Sequence, residues 1–417
     1  MRNVGPGPSE QMEIIASGAV EVLPEDEMRL KIERSVNTGK PLVVKLGVDP
    51  TSPDLHIGHS VPLNKLRQFQ ELGHQVVLII GDFTALIGDP AEQETTRPVL
   101  TSEEIEENAR TYIEQAAKII DTKRARVARN SEWLAPLTLK DLLNLTGKFT
   151  VARILERDDF ARRFREEKPL GLHEFLYPVM QAYDSVALGA DVEIGGTDQK
   201  FNLLAGRNLQ RALGQEPQCV LTLPLLEGTD GVQKMSKSLG NDVGLTDPPG
   251  EMFGKLMSIP DEAMWKYFLL ATKLEPAEVE RIRRSVESGD MNPRDAKERL
   301  AIEVVSLYHG EGEARRSAGE FRRVFSEGGL PAEIPVVALP VSRFSRGSIW
   351  IVELLTAAGL AESNSEARRL IEGGGIEIGG EKISDPELEL ALDDIRDRVV
   401  RRGRKTFVRI ELAGTDR

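Results

Sequence analysis

The sequence is poor in cysteine and contains no long uninterrupted apolar stretch. Its one cysteine, Cys219, excludes an internal disulfide and suits a reducing compartment, and we expect its thiol to be buried. No stretch reaches the roughly 18 apolar residues that a membrane-spanning helix needs. Residues 1–13 lack the basic start and apolar centre of a signal peptide. These absences predict a cytoplasmic protein that does not bind membranes.

An overall excess of positive charge is also missing. The formal net charge of −13 argues against a protein that binds DNA or coats nucleic acid, because such binding needs a basic surface. A basic run near the carboxyl end is the exception, and it contains Arg396, Arg398, Arg401, Arg402, Arg404, Lys405 and Arg409 with the single acid Asp397. A run of like charge is most often a solvated surface, so contact with RNA is the alternative interpretation at this point.

Two common nucleotide-binding fingerprints are absent: no GxGxxG follows the first expected strand, and no GxxxxGK[S/T] occurs. The first half nevertheless alternates short apolar runs with helical patterns, which predicts a parallel α/β sheet. The expected strands are 42–48, 76–80 and 192–194, and the expected helices are 56–72, 102–121, 175–188 and 200–212. If this sheet binds a nucleotide, it does so through other loops.

The second half changes in character. Strand patterns disappear after residue 247, and 262–325 is rich in Glu and Arg with apolar residues at helical spacing. The proline-flanked segment 331–340 predicts an extended linker. From about residue 342 we expect a small α+β unit with two helices, the second capped by Ser363, and a turn at Gly379-Gly380.

The strongest local signal is Asp54-Leu-His56-Ile-Gly58-His59, which lies between the first strand and the next helix. Gly58 has no side chain, so a flat adenine could lie against its backbone. The imidazoles of His56 and His59 at a helix N-terminus can contact phosphate oxygens. Taken alone, such a pattern is better explained by a pair of histidines that only cap the helix.

A second signal is Lys234-Met235-Ser236-Lys237-Ser238, in a loop flanked by glycines. Such a loop can close over a triphosphate and bring two ammonium groups to the leaving pyrophosphate. A single lysine-serine loop is common on protein surfaces. Both motifs in this order behind a leading strand indicate instead an enzyme that activates a carboxylate with ATP.

A third pattern indicates the substrate. Tyr177, Gln181 and Asp184 are spaced to share one face of a helix whose other residues are largely apolar. Buried polar groups need partners, which a zwitterionic ligand with a phenol would supply. An internal hydrogen-bond network is the alternative. With both loops, this helix resembles the tyrosyl-tRNA synthetase family of class I aminoacyl-tRNA synthetases.

The resemblance implies specific roles. In the family, the positions of Tyr177 and Gln181 bind the substrate amino group, and that of Asp184 accepts a hydrogen bond from the phenol. The remaining implied contacts are Asp89 and Asp49 with the ammonium group, Thr84 and Gly47 with the tyrosine pocket, Thr51 with the γ-phosphate, Gly58, Gly196 and Asp198 with the nucleoside, Gln199 with the adenylate, and Met235, Ser236 and Ser238 in the ATP loop. For Gly195-Gly196, a plain turn capped by Asp198 is the alternative.

Lys45 departs from the better-known branch of the family, which has a tyrosine there that contacts the substrate phenol. Together with the intact lysine loop, Lys45 resembles the second bacterial branch. Our hypothesis is that Asp184 is the chief reader of the phenol, with Lys45 nearby to keep its carboxyl ionised.

The resemblance also implies an organisation and a reaction. It predicts a Rossmann-like catalytic domain over 1–248 with a dimerisation insertion at about 103–160, an all-α anticodon-side domain over 249–330, a linker over 331–341 and an S4-like RNA-binding domain over 342–417. The enzyme would form tyrosyl-adenylate from L-tyrosine and ATP, with Mg²⁺ carried by ATP, and then charge tRNA(Tyr) as a homodimer. Arg401, Arg402, Arg404 and Lys405 are the candidate RNA contacts.

Three rivals are consistent with parts of this pattern. A tryptophanyl-tRNA synthetase shares the fold and both loops, but it should lack the set of Tyr177, Gln181 and Asp184 in this register. A cytidylyltransferase-like enzyme has a related histidine loop, but it needs neither the helical segment nor an RNA-binding tail. A non-catalytic RNA-binding protein on the same scaffold would have no need of intact loops.

Overall fold

A six-stranded sheet forms the centre of the first of two units, Met1–Arg315 and Arg316–Arg417. The computed structural model describes residues 6–89, 100–325, 329–330, 334–344, 347–403 and 406–413. The strands of the first unit are β1 (Glu21–Leu23), β2 (Val43–Val48), β3 (Gln75–Ile80), β4 (Arg126–Arg129), β5 (Val192–Gly196) and β6 (Cys219–Leu223). Their order is β1-β6-β5-β2-β3-β4, and every neighbouring pair is parallel except β1 with β6.

The helices of this part of the chain precede, connect and follow these strands. They are α1 (Pro8–Ala16), α2 (Glu25–Thr38), α3 (Ile57–Glu71), α4 (Ser102–Ala116), α5 (Ser131–Leu134), α6 (Leu139–Thr146), α7 (Val151–Ile154), α8 (Asp158–Arg165), α9 (Tyr177–Leu188), α10 (Lys200–Ala212), α11 (Pro249–Ser258), α12 (Asp261–Ala271), α13 (Pro276–Glu287), α14 (Pro293–His309) and α15 (Glu311–Phe325). The boundary between the two units falls within α15. No helix in the described part of the chain is both long and apolar enough to cross a membrane.

The strand order reverses beside β2, which places a crevice at the carboxyl ends of β2 and β5. The chain runs outward from β2 to β3 and β4 on one side, and then returns to place β5 and β6 on the other. Ligands of open α/β sheets bind at such a switch point. The sheet core beneath it is apolar, since all five residues of β6 and the last five of β3 are buried.

The second unit is a small α+β structure with its own core. Its elements are β7 (Val336–Pro340), β8 (Ser348–Trp350), α16 (Ile351–Ala357), α17 (Asn364–Glu372), β9 (Ile376–Ile378), β10 (Glu381–Ile383), β11 (Glu389–Ala391), α18 (Leu392–Ile395), β12 (Val399–Arg402) and β13 (Thr406–Ala413). One sheet has the order β10-β9-β12-β13-β7, and β11 pairs with β8. Ile351, Leu355 and Ile371 of its helices pack with Val400 and Ile410 of the sheet.

Most predicted elements are present, with three differences. The helix expected to reach residue 121 ends at Ala116, because Gln70 bonds both the backbone N–H and the C=O of Asp121 (2.9 Å each) and holds it outside the helix. The segment expected to be a linker contains β7, which pairs in parallel with β13. In the first unit, strands β1, β4 and β6 and helices α1, α2 and α5 to α8 have no counterpart in the prediction.

Candidate active site

The two predicted ATP loops meet through the backbone. Leu55 and Ile57 pair with Leu245 and Val243, which follow the lysine loop (N···O 2.9 Å for both bonds). This short antiparallel pairing places the start of α3 beside residues 234–238. Residues that are far apart in the sequence are therefore joined next to the switch point.

The rings of His56 and His59 are in contact at the start of α3, with centroids 3.9 Å apart and planes tilted by 41°. The backbone N–H of His56 donates to His59 Nδ1 (3.2 Å), which fixes the His59 ring. His56 is 8% exposed, and its Nδ1 has no hydrogen-bond partner among the described residues. Burial, followed by the nearby His59 and the two loop lysines, lowers the pKa of His56 to about 2. His56 is thus a neutral imidazole with a free polar atom.

Gly58 is constrained by this arrangement. A Cβ added to Gly58 would lie 2.9 Å from the His56 ring and 3.7 Å from Met235. Contacts below 3.0 Å force a shift, so any larger residue would displace the His56 ring. The prediction that this position needs glycine thus has a steric reason beyond room for an adenine.

The lysine loop is anchored at its centre by Met235, which is 1% exposed and bonds its N–H to Leu226 O at 3.0 Å. Asn241 holds the next turn by accepting from Ser236 N (2.8 Å). The hydroxyls of Ser236 and Ser238 are 2.9 Å apart, and Gly240 ends the loop with φ +64°. The two lysines therefore project from a fixed backbone.

Both lysines lie against carboxylates of the site. Lys234 Nζ is 2.9 Å from Asp198 Oδ2, and Lys237 Nζ is 2.6 Å from Asp54 Oδ2. Asp198 belongs to the turn after β5, and Asp54 precedes the histidine motif. The lysines are 42% and 36% exposed and their carboxylates 25% and 41%, so each pair contributes little to stability and each lysine can exchange its carboxylate for another anion.

The turn after β5 reaches the predicted ammonium site. Gln199 Nε2 donates to Asp89 Oδ2 (2.8 Å), and the other oxygen of Asp89 accepts from Arg157. A Cβ on Gly196 would lie 2.4 Å from Asp198 Oδ1, so a larger residue there would displace the Asp198 carboxylate. Asp89 is therefore held between the predicted adenylate side and the insertion that carries Arg157.

The face of α9 meets the carboxyl end of β2. Tyr177 Oη donates to Asp49 Oδ2 (2.9 Å), and Thr84 Oγ1 donates to Asp49 Oδ1 (2.8 Å). Burial raises the pKa of Asp49 to about 7 against these two hydrogen bonds, and Asp89 and Asp184 raise it further. Burial, followed by the negative charges of Asp49 and Asp89, raises the pKa of the Tyr177 phenol well above its usual value. This cluster has an excess of negative charge that a ligand cation would balance.

Asp184 lies deeper on the same face and is 3% exposed. Trp133 Nε1 of α5 donates to its Oδ1 at 2.8 Å. Burial raises the pKa of Asp184 to about 7, while Lys45 and the Trp133 hydrogen bond act in the opposite direction. The carboxyl is therefore near its titration point at neutral pH rather than firmly ionised.

Lys45 has a different direct partner from the one that the sequence suggests. Its Nζ is 2.7 Å from Glu193 Oε1, and both side chains are 1% exposed. The two residues are register partners on β2 and β5. Lys45 still lowers the pKa of Asp184 through its charge, but this does not outweigh burial. The hypothesis that Lys45 keeps Asp184 ionised is therefore corrected: its ion pair is with Glu193.

Four other predicted residues have clear positions. Gly47 lies in β2 with open space where a Cβ would be, and Thr51 follows Asp49 in a tight turn (Thr51 N to Asp49 O, 2.8 Å). Arg401 and Arg402 are paired within the second unit, with Glu377 (3.2 Å) and Glu366 (3.0 Å). Arg404 and Lys405 lie outside the described residues.

Comparison with known proteins decides the family. Residues 37–326 match the family described as "tRNA synthetases class I (W and Y)", and residues 333–410 match the "Tyrosine--tRNA ligase SYY-like C-terminal domain". A tyrosine–tRNA ligase of Moorella thermoacetica is 52% identical over 403 residues, 96% of each chain. One from Geobacter sulfurreducens is 51% identical over 405 residues, 97% of this chain and 99% of the relative. The chain belongs to the tyrosine–tRNA ligase family.

A solved structure agrees with this family. Tyrosyl-tRNA synthetase of Archaeoglobus fulgidus, solved in complex with L-tyrosine, superposes with a TM-score of 0.61 at 26% identity and covers 75% of this chain and 100% of its own. The predicted resemblance and fold class are confirmed, and the tryptophanyl alternative is not favoured. The class I tyrosine–tRNA ligase family also implies that ATP is used.

Three residues near the site of this tyrosine–tRNA ligase family member escape the sequence prediction: Glu193, Trp133 and Arg157. Glu193 could have been found, because a lone acid in one buried strand opposite a lone lysine in another suggests an ion pair. Trp133 and Arg157 lie in the segment predicted to be an insertion, about 103–160, which contains no motif. Only the folded chain brings them to Asp184 and Asp89.

Proposed function

We propose that this chain joins L-tyrosine to tRNA(Tyr) in two steps through the residues described above. In the first step, a tyrosine carboxylate oxygen bonds to the α-phosphorus of ATP, and the bond from that phosphorus to the β-phosphate oxygen breaks to release pyrophosphate. In the second, a hydroxyl of the terminal tRNA adenosine attacks the tyrosyl carbonyl and AMP leaves. The observation that supports this best is the polar face of α9 meeting Asp49 at the switch point.

Tyrosine selection is assigned to this face. The ammonium group would lie among Asp49, Asp89, Tyr177 and Gln181, where negative charge is in excess and two polar groups already converge. The phenol would reach Asp184, whose other contact, Trp133, fixes the carboxyl in place. Thr84 and Gly47 border the same space.

ATP handling is assigned to the two loops. His56 and His59, with Thr51, would contact phosphate oxygens, and Lys234 and Lys237 would leave Asp198 and Asp54 for the triphosphate of the Mg²⁺–ATP substrate. Gly58, Gly196, Asp198 and Gln199 would hold the nucleoside, and Met235, Ser236 and Ser238 shape the loop. Since the attacking carboxylate is already a nucleophile, catalysis comes from positioning and charge stabilisation, with each such contact worth about 2–4 kcal/mol of the barrier.

The further assignments concern the rest of the chain. Residues 1–248 would be the catalytic domain and 249–330 the anticodon-side helices, with an S4-like unit from 342 that binds tRNA through its basic run, including Arg401, Arg402, Arg404 and Lys405. The protein would act in the cytoplasm as a homodimer. The exposed side chains of Leu139, Leu143 and Val151 in the predicted insertion support self-association.

The test is charging of tRNA(Tyr) by the purified chain with radiolabelled tyrosine and ATP. We expect tyrosyl-tRNA from the natural sequence and a loss of roughly 100-fold in rate from Lys237→Met, because one charge contact to the leaving group is removed. Lys255→Met is the matched control, since Lys255 is paired with Asp247 outside the two loops. Absence of charging by the natural sequence would contradict the proposal.

A further inference from the structure

Glu193 collects four donors in a closed, buried cluster beside the proposed tyrosine pocket. Its Oε1 accepts from Lys45 Nζ (2.7 Å) and Gln181 Nε2 (3.2 Å). Its Oε2 accepts from Ser185 Oγ (3.2 Å) and from the amide of Gln218. An ionised carboxylate has about four acceptor positions, so this set uses its full capacity.

Space for this cluster is limited. A Cβ on Gly206 of α10 would lie 2.6 Å from Ser185 Oγ and 3.1 Å from Glu193 Oε2. The backbone of α10 therefore packs closely against the hydroxyl of Ser185 and the carboxylate of Glu193, and glycine at 206 permits this approach. Its position is set by β5 on one side and α10 on the other.

The consequence falls on Gln181. A side-chain amide can turn over at little cost, but only its NH₂ end can face a carboxylate oxygen. The bond to Glu193 thus forces Gln181 Oε1 to the opposite side, where this buried atom has no hydrogen-bond partner among the described residues. A buried acceptor without a donor costs free energy that a bound ammonium would return.

We propose that Glu193 is a positioning residue for tyrosine selection: it locks the Gln181 amide so that its oxygen faces the substrate ammonium. This inference rests on the proposed function, which puts the ammonium beside Gln181. Lys45 is the counterion that allows Glu193 to remain charged inside the protein, since a buried carboxylate without a partner is strongly disfavoured. The lysine thereby supports ammonium recognition and does not itself need to touch the phenol.

Two double variants without charge at positions 45 and 193 test whether residue 193 must accept a hydrogen bond from Gln181 or serves only as a counterion of Lys45. Lys45→Met with Glu193→Gln removes both charges but keeps an oxygen for the Gln181 amide, whereas Lys45→Met with Glu193→Leu removes both charges and the oxygen. We expect the leucine variant to bind L-tyrosine roughly 10-fold or more weakly than the glutamine variant, as for loss of one hydrogen bond to a charged group. The dissociation constant for ATP should be the same in both.

A ligand without the amino group gives the decisive readout. The two variants should bind 3-(4-hydroxyphenyl)propionate equally, because the amide oxygen of Gln181 then has no ammonium to accept from. The inference would be overturned if the two variants bound tyrosine equally, or if the leucine variant bound the deaminated ligand more weakly than the glutamine variant by the same factor as it does tyrosine.

A milder substitution keeps the test available if the leucine variant does not fold. Glu193→Asp retains a negative charge opposite Lys45 but shortens the side chain by one methylene, which withdraws the accepting oxygen from Gln181. It should weaken tyrosine binding several-fold and leave the deaminated ligand unaffected, and unchanged tyrosine affinity would count against the inference. If the natural sequence itself fails to bind tyrosine, the proposed function is what fails, and the two failures are therefore distinguishable.

Discussion

At the scale of single residues, the ionisation of Asp49 and Asp184 links ligand binding to pH. Burial raises the pKa of each carboxyl to about 7. Because the native pKa exceeds that of an unfolded carboxyl, the native state binds more protons between about pH 4 and 7, and the stability from these groups is lost as pH rises through 7. An ammonium group reverses this preference at Asp49, since it favours the charged form.

Tyrosine binding should therefore release protons. We expect the affinity for L-tyrosine to rise with pH by up to ~10-fold per unit below pH 7, and to level off above it, because one carboxyl must be ionised before the ammonium binds. Isothermal titration at pH 6.5 in two buffers of different ionisation enthalpy measures the proton directly. Proton uptake, or an affinity that is constant from pH 5.5 to 8, would disagree with the assigned charges.

Asp184 should decide between tyrosine and phenylalanine. Asp184→Ala removes the acceptor proposed for the phenol, so kcat/KM for tyrosine should fall roughly 100-fold or more, as for a site whose polar partner is lost, while phenylalanine activation does not fall. The measurement is amino-acid-dependent pyrophosphate exchange with each substrate. Glu280→Ala on the exposed face of α13 is a control for loss of one carboxylate. If the variant still discriminated tyrosine from phenylalanine, Asp184 would not be the residue that recognises the phenol, and Lys45 would be the next residue to test.

At the scale of elements, α4 holds the loop that leads into the histidine motif. Gln115 Nε2 donates to Pro53 O (3.0 Å), and its Oε1 accepts from Leu55 N (2.8 Å), so one side chain brackets Asp54. One turn earlier in α4, Thr111 Oγ1 donates to the same Pro53 oxygen. About two turns earlier, Asn108 Nδ2 donates to Pro50 O (3.0 Å). The helix predicted at 102–121 and observed as α4 therefore positions the loop before the histidine motif, a role that its polar sequence does not indicate.

Loss of this clamp should affect ATP more than tyrosine. Gln115→Ala leaves the buried Leu55 N–H unpaired, which costs about 1–3 kcal/mol, and removes one of the two donors to Pro53 O in the loop before His56. We expect KM for ATP to rise roughly 10-fold with little change in the dissociation constant of tyrosine. The adjacent Glu114→Ala, on the exposed face of α4, is the control. Steady-state exchange kinetics test this, and equal effects of the two variants would rule out the clamp.

The elements also show what the sequence can and cannot predict. β2, β3, β5, α9 and α10 are predictable because their apolar periodicity is strong and their motifs mark their ends. β4 reads Arg-Val-Ala-Arg and β1 has three residues, so neither carries a clear alternating pattern. The site residues in motifs are predictable, whereas Trp133 and Arg157 depend on how the insertion packs. Long-range packing of this kind has no local signal.

At the scale of the whole molecule, the insertion carries an exposed apolar surface. Leu139 and Leu143 lie one turn apart on α6 and are 72% and 63% exposed, and Val151 at the start of α7 is 65% exposed. Apolar side chains grouped in this way are typical of a surface that binds another protein. The proposed homodimer would cover them through a symmetric contact.

Charged substitutions on that surface should separate the two copies. We expect Leu139→Glu with Leu143→Glu to shift the mass measured by sedimentation from a dimer towards a monomer, because two charges would be buried in an apolar contact. Leu269→Glu is the matched control, since Leu269 is 51% exposed on α12, away from the insertion. A natural chain that sediments as a monomer would argue against the assembly itself.

The central claim joins the ATP loops to the face of α9: the molecule activates tyrosine and no other amino acid. Pyrophosphate exchange into ATP, measured with each of the twenty amino acids in turn, tests both halves together. The account predicts exchange with tyrosine alone. Exchange driven by tryptophan, or no exchange with any amino acid, would contradict it.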